Sequence, residues 1–161
     1  MTEEWKPRLF GADGEIAALG EGLLACALPR AAWTHEAHLA ATCWLIERRP
    51  DIAIDRELPG LIRAFNESVG GVNDASQGYH ETITRCFLAG VKLHLASVAP
   101  ALTLTEKVNG LLRSPQGRRD WPLRFYSRDR LFSVEARLSW VEPDLRALPD
   151  MAFQEGAEPP Q

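Results

Sequence analysis

Three of the four histidines of the chain fall in two short motifs in which His is followed by Glu. WTHEAHL holds His35 and His38, and GYHETIT holds His80. Neutral imidazole is a common ligand of Zn²⁺ and of iron, and it also works as a general acid or base near neutral pH. The two motifs are therefore the residues of this sequence most suited to chemistry.

Each motif lies near the start of a segment predicted to be a long helix. At 100° per residue, His35 and His38 project from the apolar side of one helix, with Cβ atoms roughly 5–6 Å apart. His80 projects from the apolar side of the other helix, in its first turn. We predict that the three imidazoles bind one metal ion, Zn²⁺ with an open position for water, or Fe(II) if a carboxylate joins two of them.

The fourth histidine, His94, faces the same apolar side as His80 but lies about 21 Å further along the helix. It is therefore predicted to be a core histidine with a hydrogen-bond partner. The same interpretation stays open for the other three, which would then pair with nearby carboxylates, hydroxyl groups or backbone carbonyls.

Carboxylates next to the histidines are the candidate general bases. They are Glu81, Glu36 and Glu67, with Asp74 in the same loop as a further option. Glu81 lies about 100° around the helix from His80, so it would act as a base or support a metal ligand from the side.

An arginine-rich segment follows the histidine motifs. Residues 113–137 hold seven arginines and carry a net charge of +4, against −8 for the rest of the chain. Such a segment suits a small anionic substrate, although pairing with the acidic remainder is the simpler explanation. The candidate substrate-binding residues are Tyr79, Asn73, Arg118, Arg119 and Arg128.

Composition limits the class of protein. The 161 residues are 45% apolar with a net charge of −4, which suits a globular domain and argues against nucleic-acid binding. Neither a phosphate-binding nor a dinucleotide-binding glycine motif occurs, so no nucleotide cofactor is expected. The three cysteines are scattered, the N-terminus is unlike a signal peptide, and no long apolar stretch occurs. These features predict a cytoplasmic protein with no membrane span.

The predicted fold is all-α, an irregular helical bundle of about five main helices with short C-terminal capping helices. The main helices are predicted over 15–26 after an Asp13 cap, 31–49, 55–65, 79–98 and 103–112. The last of these opens with the capping-box spacing of Thr103 and Glu106, and Ser127 and Ser133 are each predicted to cap a brief helix. A long polar connection is expected over 66–78. Residues 1–150 are predicted to form one helical domain and residues 151–161 a disordered tail.

Four ordered pieces carry a resemblance over residues 30–148. They are WTHEAHL, FNESVGGVN, GYHETIT, and FYSRDRL followed by Ala136-Arg137 and WVEPDL. Together they resemble a family of small bacterial helical proteins without an assigned activity. The resemblance implies that both histidine motifs, the polar loop and the arginine-rich segment belong to one fold.

Two hypotheses follow. The first is a metal-dependent enzyme acting on a small cytosolic metabolite, a hydrolase by default or an oxygenase if the metal is iron. The alternative is a non-enzymatic helical module that binds a small ligand or a protein partner, with structural histidines. Trp33 and Trp44, which are predicted on the side of the second helix away from the histidines, would then form the contact surface. A homodimer is compatible with either hypothesis.

Overall fold

The computed structural model describes residues 4–149, which form an irregular bundle of helices without a strand. The all-α prediction is therefore confirmed. The helices are α1 (Asp13–Ala25), α2 (His35–Arg48), α3 (Ile54–Ser68), α4 (Glu81–Ser97), α5 (Leu104–Arg113), α6 (Arg128–Leu131) and α7 (Val134–Leu138). Single 3₁₀ turns span Arg30–Ala32, Pro115–Gly117 and Trp121–Arg124. The predicted disordered tail, 151–161, lies outside the described residues.

The N-terminal cap of α5 was predicted correctly and that of α1 was predicted wrongly. Thr103 and Glu106 form the predicted capping box at the start of α5. Asp13 does not cap α1, which begins after Ala12 without a side-chain cap. The Asp13 carboxylate instead accepts the backbone N–H of Thr105 at 2.9 Å, so it joins α1 to α5.

Helix α2 is shorter and more deeply buried than its sequence indicated. It begins at His35, because Thr34 caps it by accepting the N–H of Ala37. Within residues 36–45 every position is buried except His38. Trp44 was predicted on the side away from the histidines as a contact surface, but it is only 5% exposed and packs where Gly20 of α1 has no side chain. Because residues 36–45 of α2 are buried on nearly every side, a one-sided apolar stripe could not describe this part of the helix.

Helix α4 also begins later than predicted. His80 is its N-cap, with extended backbone, and does not lie in the first turn. The connection before it is shorter at its start, since α3 continues to Ser68. Gly78 closes this connection at φ +82°, where an added Cβ would lie 2.2 Å from the backbone oxygen of Val72. A side chain at this turn would therefore displace the backbone.

Two hydrophobic clusters meet at α4. The first lies among α1, α2, α3 and α5, and Val91 of α4 belongs to it. The second packs Cys86 of α4 against Trp121, Tyr126 and other residues of the C-terminal segment. The short helices α6 and α7 start at the predicted serine caps, Ser127 and Ser133. Within residues 4–149, no helix is both long and apolar enough to cross a membrane.

A histidine-lined cavity as the candidate functional site

All three histidines of the two motifs line one cavity of about 390 Å³ between α2, α3 and α4. Most of its wall is apolar, and its polar groups come from α2, from the N-terminal end of α4, from Asn66 of α3 and from Arg119. The lining residues are Trp33, His35, His38, Leu39, Thr42, Leu58, Ile62, Asn66, Gly78, Tyr79, His80, Ile83, Thr84, Phe87, Leu88, Val91 and Arg119. The volume falls within the range of small-molecule sites, roughly 300–1,000 Å³.

The ring of His80 is held through both of its nitrogens. Nδ1 accepts the backbone N–H of Ile83 at 3.1 Å, so Nδ1 carries no proton. Nε2 therefore carries the proton and donates to the carbonyl of Leu131 at 2.9 Å. Burial lowers the pKa of His80, which keeps the ring neutral. His80 thus caps α4 and ties it to α6 at the same time.

His35 is anchored in a similar way, but through one nitrogen. Its Nε2 donates to the carbonyl of Gly117 at 2.8 Å, and its ring meets Trp5 and Phe87 edge-on. Burial lowers the pKa of His35, and the positive charge of Arg119 acts in the same direction. The bond to Gly117 opposes this by raising the pKa. His35 therefore fixes the 3₁₀ turn Pro115–Gly117 beside the cavity.

His38 differs from the other histidines. Its ring lies 4.0 Å from the ring of Trp33, centroid to centroid, with 36° between the planes. Within residues 4–149 neither ring nitrogen has a hydrogen-bond partner, and burial lowers the pKa of His38 to about 3. The cavity is thus bordered by a neutral imidazole with one donor and one acceptor free for another group.

His94 lies outside the cavity. It is 7% exposed, and its Nε2 donates to the carbonyl of Lys107 at 3.1 Å. The prediction of a hydrogen-bonded core histidine is confirmed.

The candidate bases do not line the cavity. Glu81 accepts the hydroxyl of Tyr79 at 2.8 Å and lies 3.8 Å from Arg85. Glu36 accepts the backbone N–H of Arg8 at 3.1 Å. Of the other two candidates, Glu67 lies at the end of α3 and accepts the side-chain amide of Asn73, and Asp74 accepts the backbone N–H of Ser76 within the connection before α4.

The candidate substrate-binding residues divide into two groups. Tyr79 and Arg119 line the cavity, whereas Asn73, Arg118 and Arg128 do not. Asn73 holds its own loop by accepting the N–H of Tyr79 and the side-chain amide of Asn66. Arg118 pairs with Asp120 at 3.1 Å, and the guanidinium of Arg128 lies over the ring of Phe132.

Two parts of the cavity wall were not predicted from the sequence. Trp33 was placed away from the histidines, but it precedes α2, so the helical angle of α2 does not apply to it. Helix α3 contributes Leu58, Ile62 and Asn66, which recur every four residues on one face. That spacing is a signal that could have identified the third wall.

Within residues 4–149, no group of three or more His, Cys, Asp or Glu side chains is arranged to hold a metal ion. Comparisons of the chain with models of protein families, with curated proteins and with solved structures give no match. The resemblance seen in the sequence motifs therefore stays a prediction.

Proposed function

We propose that the cavity binds a small, largely apolar organic molecule and that His38 forms the hydrogen bond that orients it. One observation carries this proposal. Three of the four histidines donate to a backbone carbonyl, whereas His38 faces the cavity with both ring nitrogens unpaired among the described residues. His38 is half-buried on a mostly apolar cavity wall, where a polar group without a partner is unusual, so a ligand with one polar group would complete this site.

The surroundings of His38 support a binding role. The stack on Trp33 and the bond from Thr42 Oγ1 to the carbonyl of His38 hold the residue in place. Leu58, Ile62 and other apolar side chains offer contacts to the remainder of a ligand. A rigid imidazole in an apolar site gives orientation, and the apolar wall gives most of the affinity.

Nitrogen spectra of the histidine rings test this function. In the free protein we expect His35, His80 and His94 to be neutral with the proton on Nε2. A library of metabolites and fragments is first screened by thermal shift. A true ligand should then shift the ring nitrogens of His38 and leave those of His94, the control outside the cavity, unchanged.

A variant that fills the cavity completes the test. Ile62→Trp places an indole in the cavity from α3, at a position that is already partly exposed. Ligands that shift His38 should lose their effect in this variant. The function is refuted if no compound stabilises the parent protein, or if every hit leaves the His38 signals unmoved.

Metal-dependent catalysis is the competing proposal. Binding one metal ion through all three rings would require His80 to give up its bond to Ile83 or its bond to Leu131. Elemental analysis of protein purified without a histidine tag separates the two proposals. Stoichiometric zinc or iron that disappears in both His35→Ala and His80→Ala would favour the metal enzyme.

A further inference from the structure

Arg119 is distinguished from the other arginines of its segment by its position on the cavity. Of the seven arginines in residues 113–137, it is the one that lines the cavity. Its side chain is exposed, so it lies where the cavity opens to solvent. Within residues 4–149 it forms no ion pair with an acidic side chain inside 4.0 Å, whereas Arg118 beside it is paired with Asp120.

Most of the remaining arginines are engaged by local groups. Arg130 donates to the carbonyl of Glu142 and Arg137 to that of Gly78. The guanidinium groups of Arg124 and Arg128 lie over aromatic rings. The guanidinium groups at these positions are therefore held by other groups of the protein, whereas the guanidinium of Arg119 is available to bind a ligand at the cavity.

Anchors on both sides hold the backbone around Arg119. On one side, the carbonyl of Gly117 receives the Nε2 proton of His35 at 2.8 Å. On the other side, the indole of Trp121 donates to the carbonyl of Cys86 at 3.0 Å. Because both bonds attach the segment to α2 and α4, they determine where the guanidinium group can reach.

One acidic side chain, Glu36, interacts electrostatically with Arg119 but does not occupy the opening of the cavity. Arg119 contributes to lowering the pKa of Glu36, against the raising effect of burial. The carboxylate of Glu36 does not line the cavity, and it already accepts the N–H of Arg8. An anionic ligand group would therefore meet the guanidinium without a carboxylate beside it on the cavity wall.

We infer that the ligand is an organic carboxylate with an apolar body, its carboxylate bound by Arg119 at the opening and its body enclosed by the apolar wall. This inference rests on the proposed function. A guanidinium group matches a carboxylate through two parallel hydrogen bonds, and one arginine at the mouth of an apolar cavity suits a singly charged group.

Matched acid and amide probes test the ligand class. Octanoate and octanamide have the same chain, as do phenylacetate and phenylacetamide, and only the acids are charged. We expect each acid to bind about tenfold more tightly than its amide, because hydrogen bonds to charged groups contribute roughly 1.5–3 kcal/mol against about 1 for neutral ones. Affinity is measured from the His38 ring signals and from tryptophan fluorescence.

Neighbouring arginines provide the matched variants. Arg119→Gln should lower the affinity for each acid to that of its amide and leave the amide affinity unchanged. Arg118→Gln, which removes an adjacent charge away from the cavity, should retain the preference for acids. Added salt should weaken acid binding to the parent and should have a smaller effect on Arg119→Gln.

Three results would overturn the inference. They are equal binding of acids and amides to the parent, equal losses in the two arginine variants, and no binding of either acid. The proposed function is judged separately, since neutral library compounds that shift His38 would uphold it even when every acid fails.

Discussion

At the scale of single residues, the four histidines perform different tasks although they all lie on buried or half-buried positions. His35, His80 and His94 each donate from Nε2 to a backbone carbonyl of a distant segment. They act as connectors between helices, and only His38 remains available to a ligand. The type of residue is therefore a weaker guide to function than the partner of each nitrogen.

His80 offers a direct test of the connector role. His80→Ala removes the cap of α4 and the bond to Leu131, so we expect a loss of about 2–3 kcal/mol in the free energy of unfolding. His80→Asn keeps a capping oxygen and should lose only about 1 kcal/mol. Urea unfolding of both variants at neutral pH measures the difference, and equal losses would contradict the capping role.

The motifs predicted which histidines meet, but not how each ring is bonded. Helical periodicity placed His35, His38 and His80 on inward faces, and they do line one cavity. Their partners, Gly117 and Leu131, come from segments far along the chain. Since these contacts depend on tertiary packing, no local spacing could indicate that two of the rings are already occupied.

At the scale of helices, the packing of α1 on α2 depends on a missing side chain. A Cβ added at Gly20 would lie 2.1 Å from Cε3 of Trp44. Gly60 in α3 provides the contrast, because a Cβ there would meet nothing within 4 Å. The same substitution should therefore have opposite effects at the two sites.

We expect Gly20→Ala to lower the free energy of unfolding by about 1–2 kcal/mol, since the rigid indole must move. Gly60→Ala should raise it by roughly 0.5–1 kcal/mol, because alanine favours the helix without a clash. Thermal and urea unfolding of both variants, with tryptophan fluorescence as a probe of Trp44, provide the measurement. Stabilisation by Gly20→Ala would refute the close contact.

Helix boundaries followed the local signals only where the capping partner was also local. The capping box of α5 and the serine caps of α6 and α7 could be predicted from the sequence, since donor and acceptor lie three residues apart. Asp13 lies where a cap is expected, but its carboxylate accepts the backbone N–H of Thr105, far along the chain. The prediction that Trp44 lies on a contact surface was wrong for a related reason, because nearly all of residues 36–45 of α2 are buried and leave no polar face to distinguish one side from the other.

At the scale of the whole molecule, α4 joins the two hydrophobic clusters. Thr82 illustrates this junction, since its hydroxyl donates to the carbonyl of Ser139 and accepts the N–H of Val141. The cavity lies on the other side of the same helix, and Arg119 reaches it from the C-terminal segment. The candidate site thus combines the histidine motifs with the arginine-rich segment.

Neutral histidines across the molecule should make its stability depend on pH. Burial lowers the pKa of all four, and the pKa of His38 falls from the ordinary value of 6.5 to about 3. Below pH 6.5 the unfolded chain therefore takes up protons that the folded chain does not. The stabilisation is complete above this pH and decreases as the pH falls toward the folded pKa values.

For His38 alone, lowering the pH from 7.5 to 5.0 should cost about 2 kcal/mol in the free energy of unfolding. His38→Phe keeps a ring against Trp33 but cannot titrate, so its own loss over the same interval should be about 2 kcal/mol smaller than that of the parent. Urea unfolding of both proteins at the two pH values tests this. Equal losses would mean that His38 titrates normally in the folded protein, and its ring would then be far better hydrated than its place on an apolar cavity wall implies.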